Sequence, residues 1–231
     1  MRTHFVAFDC ETTGLSDTDT ITCIATIAVT DTTEEKIWYG TLGETIDLAT
    51  LCQCLDYMWD LYQHKNHAII SFNGVSFDFR VMARMLASQP EYVDKIELMA
   101  LGGEDIMLDF ATEHGYFAGM QSFAEGCQVP GKTQTGAWAM TQWLSGVPEQ
   151  QRAVLDYCLE DVRVLCRLVQ YRVENQCLLR KTKKNTLQQW MPQARYFRRA
   201  HVCIEAYTKK PVTPTWFTGT PRKIPTLWDW I

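Results

Sequence analysis

The order of apolar segments in the first half of the chain restricts the folds available to it. Residues 4–9, 22–30 and 36–42 have strand-like apolar patterns and follow one another with only short polar turns between them. The polar turn at 31–35 makes its two flanking strands antiparallel neighbours. Helical and strand-like patterns alternate after this point, which predicts an α/β fold with a mixed sheet flanked by helices.

The later elements follow from the spacing of apolar residues. The pattern predicts helices over 48–62, 77–87, 124–129, 136–144 and 149–175, and strands over 67–73 and 104–110. The pattern degrades from about Thr182 onward. We therefore expect one domain over residues 1–179, followed by a basic, aromatic-rich extension over 180–231 that packs on or beside it.

The first predicted strand ends in two acids, within the segment FVAFDCETTGL at 5–15. Asp9 and Glu11 are two residues apart, so their side chains point to the same face of the sheet. Two adjacent carboxylates repel each other and are costly to bury unless a cation compensates. A strand end that runs into solvent would also tolerate them, so this segment alone leaves both interpretations open.

Two further segments place acids beside apolar elements. The strand at 67–73 runs into the turn pair Asn73-Gly74, and Asp78 then falls in the first turn of the next helix, where it could simply favour the helix dipole. On the long predicted helix, Tyr157 and Asp161 are four residues apart and share one face, beside the apolar stripe. Alone, each of these placements has an ordinary structural explanation.

Together, and in this order, the segments resemble a known family. Asp-x-Glu at the end of the first strand, Asn-Gly-x-x-Phe-Asp at a strand-to-helix turn and Tyr-x-x-x-Asp on a late helix are similar to the three motifs of the DnaQ-like (DEDD) 3′–5′ exonucleases, over roughly residues 5–170. The third motif is of the tyrosine type (DEDDy), because Asp156 stands where the histidine variant would have His. The resemblance implies a ribonuclease H-like fold.

The resemblance also implies a two-metal mechanism, which agrees with the chemistry of the side chains. An all-oxygen set of carboxylates suits hard divalent cations, Mg²⁺ or Mn²⁺. Two such ions, about 4 Å apart, would promote in-line hydrolysis of a phosphodiester and release a 5′-mononucleotide. By the resemblance, Asp9 bridges both metals, Glu11 and Asp161 complete one site, Asp78 acts through an outer-shell water, and Tyr157 orients the attacking water.

Four further residues are candidate contacts to the substrate. Thr12 would contact the terminal nucleotide through its backbone, and Leu15 and Phe77 would wedge or stack against the terminal bases. Asn73 would help to hold the second motif. The segment PGKTQTG at 130–136 lacks the spacing and the preceding strand of a phosphate-binding loop, so we assign it no function.

Charge is unevenly distributed along the chain, whose net charge is −5. Residues 1–179 contain 11 Lys and Arg and 25 Asp and Glu, which gives a net charge of −14. Residues 180–231 contain 11 Lys and Arg and only two Asp and Glu, which gives a net charge of +9. Basic clusters and aromatic residues alternate in the extension. They can hold a nucleic acid through phosphates and bases, or anchor the extension on the acidic body, or both.

Composition narrows the class of protein further. No apolar run approaches the length of a membrane span, and the N-terminal segment lacks the apolar region of a signal peptide, so we expect a soluble, cytoplasmic protein. The nine cysteines are scattered and form no C-x-x-C pair, which favours reduced thiols in the core over a zinc site or disulfides.

These observations favour a monomeric, metal-dependent 3′–5′ exonuclease that acts on single-stranded or overhanging DNA 3′ ends. The chain is too short to include a polymerase domain, so any proofreading role would be in trans. Two alternatives remain: an exonuclease of RNA or oligoribonucleotides, and a non-catalytic nucleic-acid-binding module on a nuclease fold.

Overall fold

A five-stranded mixed sheet forms the centre of the protein. The computed structural model describes residues 4–16, 18–192 and 197–209. The strands are β1 Phe5–Thr12, β2 Ile21–Val29, β3 Thr33–Tyr39, β4 Ala68–Ser71 and β5 Glu104–Asp105. Their spatial order is β3-β2-β1-β4-β5; the first three are antiparallel, and β4 and β5 run parallel to β1 and to each other.

Helices cover both faces of this sheet. They are α1 Leu48–Trp59, which continues as a π-helical turn at Asp60–His64, α2 Asp78–Met85, α3 Pro90–Gly102, α4 Ile106–His114, α5 Met120–Cys127, α6 Gly136–Trp143, α7 Pro148–Asn175 and α8 Ala200–Lys209. The predicted α/β architecture, with three antiparallel strands followed by parallel ones, is confirmed.

The alternation of side chains along β1 divides the interior into two cores. Val6 and Phe8 point to one face and pack with residues of α1, α2 and α3. Ala7 points to the opposite face and packs with residues of α5, α6 and α7. Asp9 and Glu11 continue the register of Ala7, so both acids belong to the face that α7 covers.

The prediction of a strand over 104–110 is wrong for most of that segment. Only Glu104–Asp105 is a strand, and α4 begins at Ile106. The buried carboxylate of Asp105 accepts the backbone N–H of Leu108 at 3.1 Å, which caps a helix at this point. Helices α3 and α8 were also absent from the prediction, and α5 begins four residues before its predicted start.

The segment after α7 folds back onto the domain. Strands β6 Leu178–Lys181 and β7 Leu187–Trp190 form a hairpin, and β6 spans the boundary predicted at 179/180. Trp190 is buried and donates its indole N–H to Glu113 at 2.9 Å. Part of the predicted extension, residues 193–196 and 210–231, lies outside the described residues.

The lengths and polarities of the helices bear on membrane association. Across the described part of the chain, no helix combines the length and apolar character needed to cross a bilayer.

Close packing of α5 against β6 yields the first testable prediction. A Cβ atom on Gly126 would lie 2.3 Å from the carbonyl oxygen of Leu179, a backbone atom that cannot rotate away. Gly126→Ala should therefore lower the free energy of unfolding by about 1–3 kcal/mol, although alanine is the better helix former. Chemical denaturation measures this difference.

Gly136, at the start of α6, is the matched control, because a Cβ there meets nothing within 4 Å. Gly136→Ala should leave the stability unchanged or raise it. Equal effects of the two substitutions would contradict the close approach of β6 to α5.

Candidate active site

Asp9 and Glu11 lie at the carboxyl end of β1, beside the neighbouring strand β2 and under α7. Asp9 pairs with Ala25 and Glu11 with Cys23 in the antiparallel register. Glu11 is buried, and Asp9 is half-buried. Burial raises the pKa of the Asp9 carboxyl well above its usual range, and the negative charges of Asp78 and Asp161 raise it further.

Asp78 reaches the same point from the first turn of α2. Its side chain is buried, and Oδ1 accepts the backbone N–H of Cys10 at 3.0 Å. Burial raises the pKa of Asp78 to about 6 even though this hydrogen bond opposes the change. The bond joins the second acidic segment directly to the strand residue that lies between Asp9 and Glu11.

The turn before α2 depends on a residue that the sequence analysis assigned to a strand without a role. Asp105, on β5, accepts the backbone N–H groups of Asn73 and Val75 at 2.9 and 3.0 Å. Asn73 has a left-handed backbone conformation, with φ of 71°. A Cβ on Gly74 would lie 2.5 Å from the Cβ of Ser71, so the turn needs glycine there. Asp105 thereby fixes the loop that leads to Asp78.

Helix α7 supplies the remaining predicted residues. Tyr157 and Asp161 are both buried on the face of α7 that meets the ends of β1 and β2. The pKa of Glu11 is raised by burial and by the charges of Asp9 and Asp161, so the four acids form one electrostatic cluster. Cys158 adds a buried thiol whose Sγ lies within 4.8 Å of carboxylate oxygens of Asp9 and Glu11.

Lys132 is the site residue that the sequence analysis missed. Its ammonium forms an ion pair with Asp161 and lies 3.4 Å from the hydroxyl of Tyr157. Burial disfavours the charged ammonium, but the carboxylates of Asp9 and Asp161 outweigh this effect and raise the pKa of Lys132. The lysine belongs to the loop PGKTQTG, and no spacing or periodicity in the sequence connects that loop with the acids.

The predicted substrate contacts are placed around this cluster. Leu15, in the loop after β1, is 88% exposed, and the hydroxyl of Thr12 donates to the carbonyl of Gly14 at 2.6 Å. Phe77 precedes α2 and is only partly buried against the core of α1, α2 and α3. The backbone N–H of Asn73 donates to Asp105 at 2.9 Å. Binding of substrate by these residues stays a prediction.

The carboxylates fit divalent metal ions. Oδ1 of Asp161 is buried and has no hydrogen-bond partner within the described residues, while Oδ2 contacts Lys132. A buried carboxylate oxygen without a donor is costly, and a cation would satisfy it. Hard oxygen ligands of this kind suit Mg²⁺ or Mn²⁺. The same cations would relieve the repulsion that raises the pKa values of Asp9 and Glu11.

Comparison with known proteins identifies the family of the chain and agrees with its fold. The family model of the RNase_H superfamily matches residues 6–173, which is most of the chain. Among solved structures, the family B DNA polymerase from the hyperthermophilic archaeon Pyrobaculum calidifontis is similar, with a TM-score of 0.57 and 15% identity. The match covers 74% of this chain and 24% of the polymerase, so the chain spans about a quarter of that protein's length.

A second solved structure, described as Exonuclease I (apo), matches with a TM-score of 0.41 and 13% identity, over 75% of this chain and 42% of that one. The sequence has no significant match among curated proteins.

The repulsion between the buried acids leads to a prediction about stability. In metal-free buffer at alkaline pH, where the acids of the cluster are ionised, Asp9→Asn should raise the free energy of unfolding by about 1–2 kcal/mol, because it removes one charge from the cluster. The advantage of the variant should shrink as the pH falls, since a carboxyl with a raised pKa becomes neutral and no longer repels its neighbours.

At saturating Mg²⁺ or Mn²⁺ the wild-type protein should instead be more stable than the Asp9→Asn variant. A ligand at a hundred times its Kd stabilises a protein by about 2.7 kcal/mol, and the variant lacks one of the metal ligands. Thermal denaturation with and without metal tests both parts. The metal site would be refuted if metal shifted the melting temperatures of both proteins equally.

Proposed function

The chain belongs to the RNase H superfamily, and from this premise we propose that it is a metal-dependent 3′–5′ exonuclease. Its substrate would be the single-stranded or overhanging 3′ end of DNA, and its product a 5′-mononucleotide. Membership of the superfamily supports a nuclease that uses divalent metals. The polarity, the polymer and the residue roles that follow belong to the proposal.

One observation supports the proposal above the others. Four carboxylates from three separate elements converge at the carboxyl end of β1, and one buried oxygen, Oδ1 of Asp161, has no donor within the described residues. A structural ion-pair network would contain comparable numbers of cations and acids. Among the described residues one lysine faces these four acids, which is the imbalance expected of a site that binds divalent cations.

In this proposal Asp9, Glu11 and Asp161 would hold the divalent metal ions, with Asp9 as the central ligand. Divalent cations held by these carboxylates would supply the positive charge that lowers the pKa of a bound water and stabilises charge on the oxygens around the phosphorus atom. Asp78 would act through an outer-shell water, because its Oδ1 already accepts the N–H of Cys10.

Tyr157 and Lys132 would position the groups that react. The hydroxyl of Tyr157 is proposed to orient the attacking water toward the phosphorus atom. The ammonium of Lys132 lies 3.4 Å from that hydroxyl, so it can hold the hydroxyl in place. Burial raises the pKa of Asp161, and the positive charge of Lys132 opposes this rise and so favours the deprotonated carboxylate.

Features of charge and shape favour single-stranded DNA in the proposal. The acidic body carries −14 over residues 1–179, and a duplex has twice the density of phosphates of a single strand. Leu15, 88% exposed in the loop after β1, offers an apolar side chain to a terminal base. None of the described residues forms an arrangement that must read a 2′-hydroxyl, so we assign DNA in preference to RNA.

Asp9→Asn tests the catalytic proposal. Loss of the central ligand should lower the rate at which 5′-mononucleotides are released from a labelled single strand by about a thousandfold or more. The measurement uses Mg²⁺ and Mn²⁺ in turn. Asp94→Asn, an exposed acid on α3, is the control and should keep the wild-type rate. An active Asp9→Asn variant would rule out the proposed site.

Assays on labelled DNA and RNA strands, run side by side, identify the polymer that is cleaved and the direction of cleavage. With a 5′ label, 3′–5′ removal should give a ladder of shortened products, and a blocked 3′ end should stop it. The value of kcat/KM should be higher for a DNA strand than for an RNA strand of the same sequence. A preference for RNA would show that the assignment of DNA as the substrate is wrong, and it would leave the catalytic proposal unaffected.

A further inference from the structure

The hairpin β6–β7 is held rigidly against the domain. Cys127, on α5, accepts the backbone N–H of Leu179 and donates to its carbonyl oxygen, both at 3.3 Å. Arg180 lies over the rings of Tyr116 and Phe110, at 5.1 and 5.6 Å from their centroids. The hydroxyl of Tyr116 also donates to the side chain of Gln188 on β7 at 2.9 Å. The position of the turn between the strands is therefore fixed.

The turn itself is well defined and carries two lysines. The backbone N–H of Thr182 donates to the carbonyl of Thr186 at 2.9 Å, and the two hydroxyls are 2.7 Å apart. Asn185 closes the turn with a left-handed backbone, φ 64°. Lys183 and Lys184 occupy its tip and are exposed. Within the described residues, neither has a carboxylate at ion-pair distance.

The strand β6 runs toward the catalytic end of the domain. Leu179 contacts Cys127, and two residues later Lys181 pairs with Glu125 at 3.7 Å, so β6 runs opposite to α5. Continuing in this direction leads to the first turn of α5, where Gln121 lies.

Gln121 connects this helix to the catalytic cluster. Its side-chain oxygen accepts the backbone N–H of Lys132 at 2.8 Å, and its amide N–H donates to Glu125 at 3.2 Å. Lys132 in turn pairs with Asp161. A continuous series of polar contacts thus joins the base of the hairpin to the site of the acids, and it crosses a single helical turn of about 5.4 Å.

From this arrangement we infer that the turn of the β6–β7 hairpin is a phosphate-binding site for the single strand, through Lys183 and Lys184, several nucleotides upstream of the scissile bond. The inference rests on the proposed function and assigns one part of its substrate path. A polyanion that approaches four carboxylates needs positive charge nearby, and ammonium groups contact phosphates without regard to sequence.

The basic residues of this segment therefore have different roles. Arg180 stacks on aromatic rings and Lys181 pairs with Glu125, so both help to fix the hairpin. The two lysines of the turn are exposed and are free of such contacts within the described residues. A strand anchored there would leave its 3′ end free to reach Asp9 and Glu11.

The test measures binding of a labelled single strand of about 16 nucleotides, a length at the upper end of known single-strand sites. Binding is followed by fluorescence anisotropy in the Asp9→Asn background with Mg²⁺, so that the strand stays intact. Lys183→Ala/Lys184→Ala should weaken binding about tenfold at low salt and lower the slope of log K against log salt by about 1.4, which corresponds to two phosphate contacts on a single strand.

Two control proteins make this result specific. Lys65→Ala/Lys95→Ala removes the same charge from residues outside α5 and the hairpin, and should leave the salt slope unchanged. Lys183→Arg/Lys184→Arg keeps the charge and should restore the slope of the parent protein. Melting temperatures confirm that all variants are folded. An unchanged slope in the double alanine variant, or an equal loss in the Lys65/Lys95 control, would overturn the inference.

Cleavage by the wild-type protein separates this inference from the proposed function. If the wild type fails to shorten both a dinucleotide and the longer strand, the proposed function is wrong, whatever the hairpin binds. If it shortens them, the ratio of kcat/KM for the long strand to that for the dinucleotide should fall at least about fivefold in the double alanine variant. A constant ratio in an active enzyme would refute the hairpin site alone.

Discussion

Repulsion between carboxylates at the end of β1 is the interaction on which the arrangement of the site depends. Asp9 and Glu11 face α7 because strand side chains alternate, and Asp78 and Asp161 are brought up to them from two helices. Such a cluster opposes folding, since each carboxyl is buried beside others of the same charge. The domain has to hold these groups together with interactions located elsewhere, and the two packed cores on either side of the sheet provide them.

Individual hydrogen bonds then orient the side chains of two of these acids. The N–H of Cys10 holds Oδ1 of Asp78, and Lys132 holds Oδ2 of Asp161. Oδ1 of Asp161 has no donor within the described residues, so it remains for a further ligand. Asp105 acts one step further away, through the N–H groups of the turn that precedes α2. The acids are thus oriented by backbone and lysine donors, which a metal-binding site requires if its geometry is to be defined before the metal arrives.

The features that follow from local periodicity could be predicted from sequence. The alternation of residues 5–11 placed Asp9 and Glu11 on one face, and the four-residue spacing placed Tyr157 and Asp161 together on α7; the structure brings both pairs to one point. Long-range contacts were not predictable in this way. Lys132 lies on a loop without periodicity, and Asp105 was interpreted as part of a strand because Ile106, Leu108 and Phe110 alternate. The tendency of Asp105 to cap a helix prevailed over that alternation.

The distribution of charge explains how an acidic domain can act on a polyanion. At physiological salt the field of the body is screened beyond about 8 Å, so the charges nearest to the strand decide whether it binds. Near the site these include the ammonium of Lys132 and, in the inferred path, the two lysines at the tip of a rigid turn. A single strand can bend to follow such isolated positive charges. A duplex is stiff and would bring its second row of phosphates against the acidic surface, so the proposed arrangement would favour a single strand over a duplex.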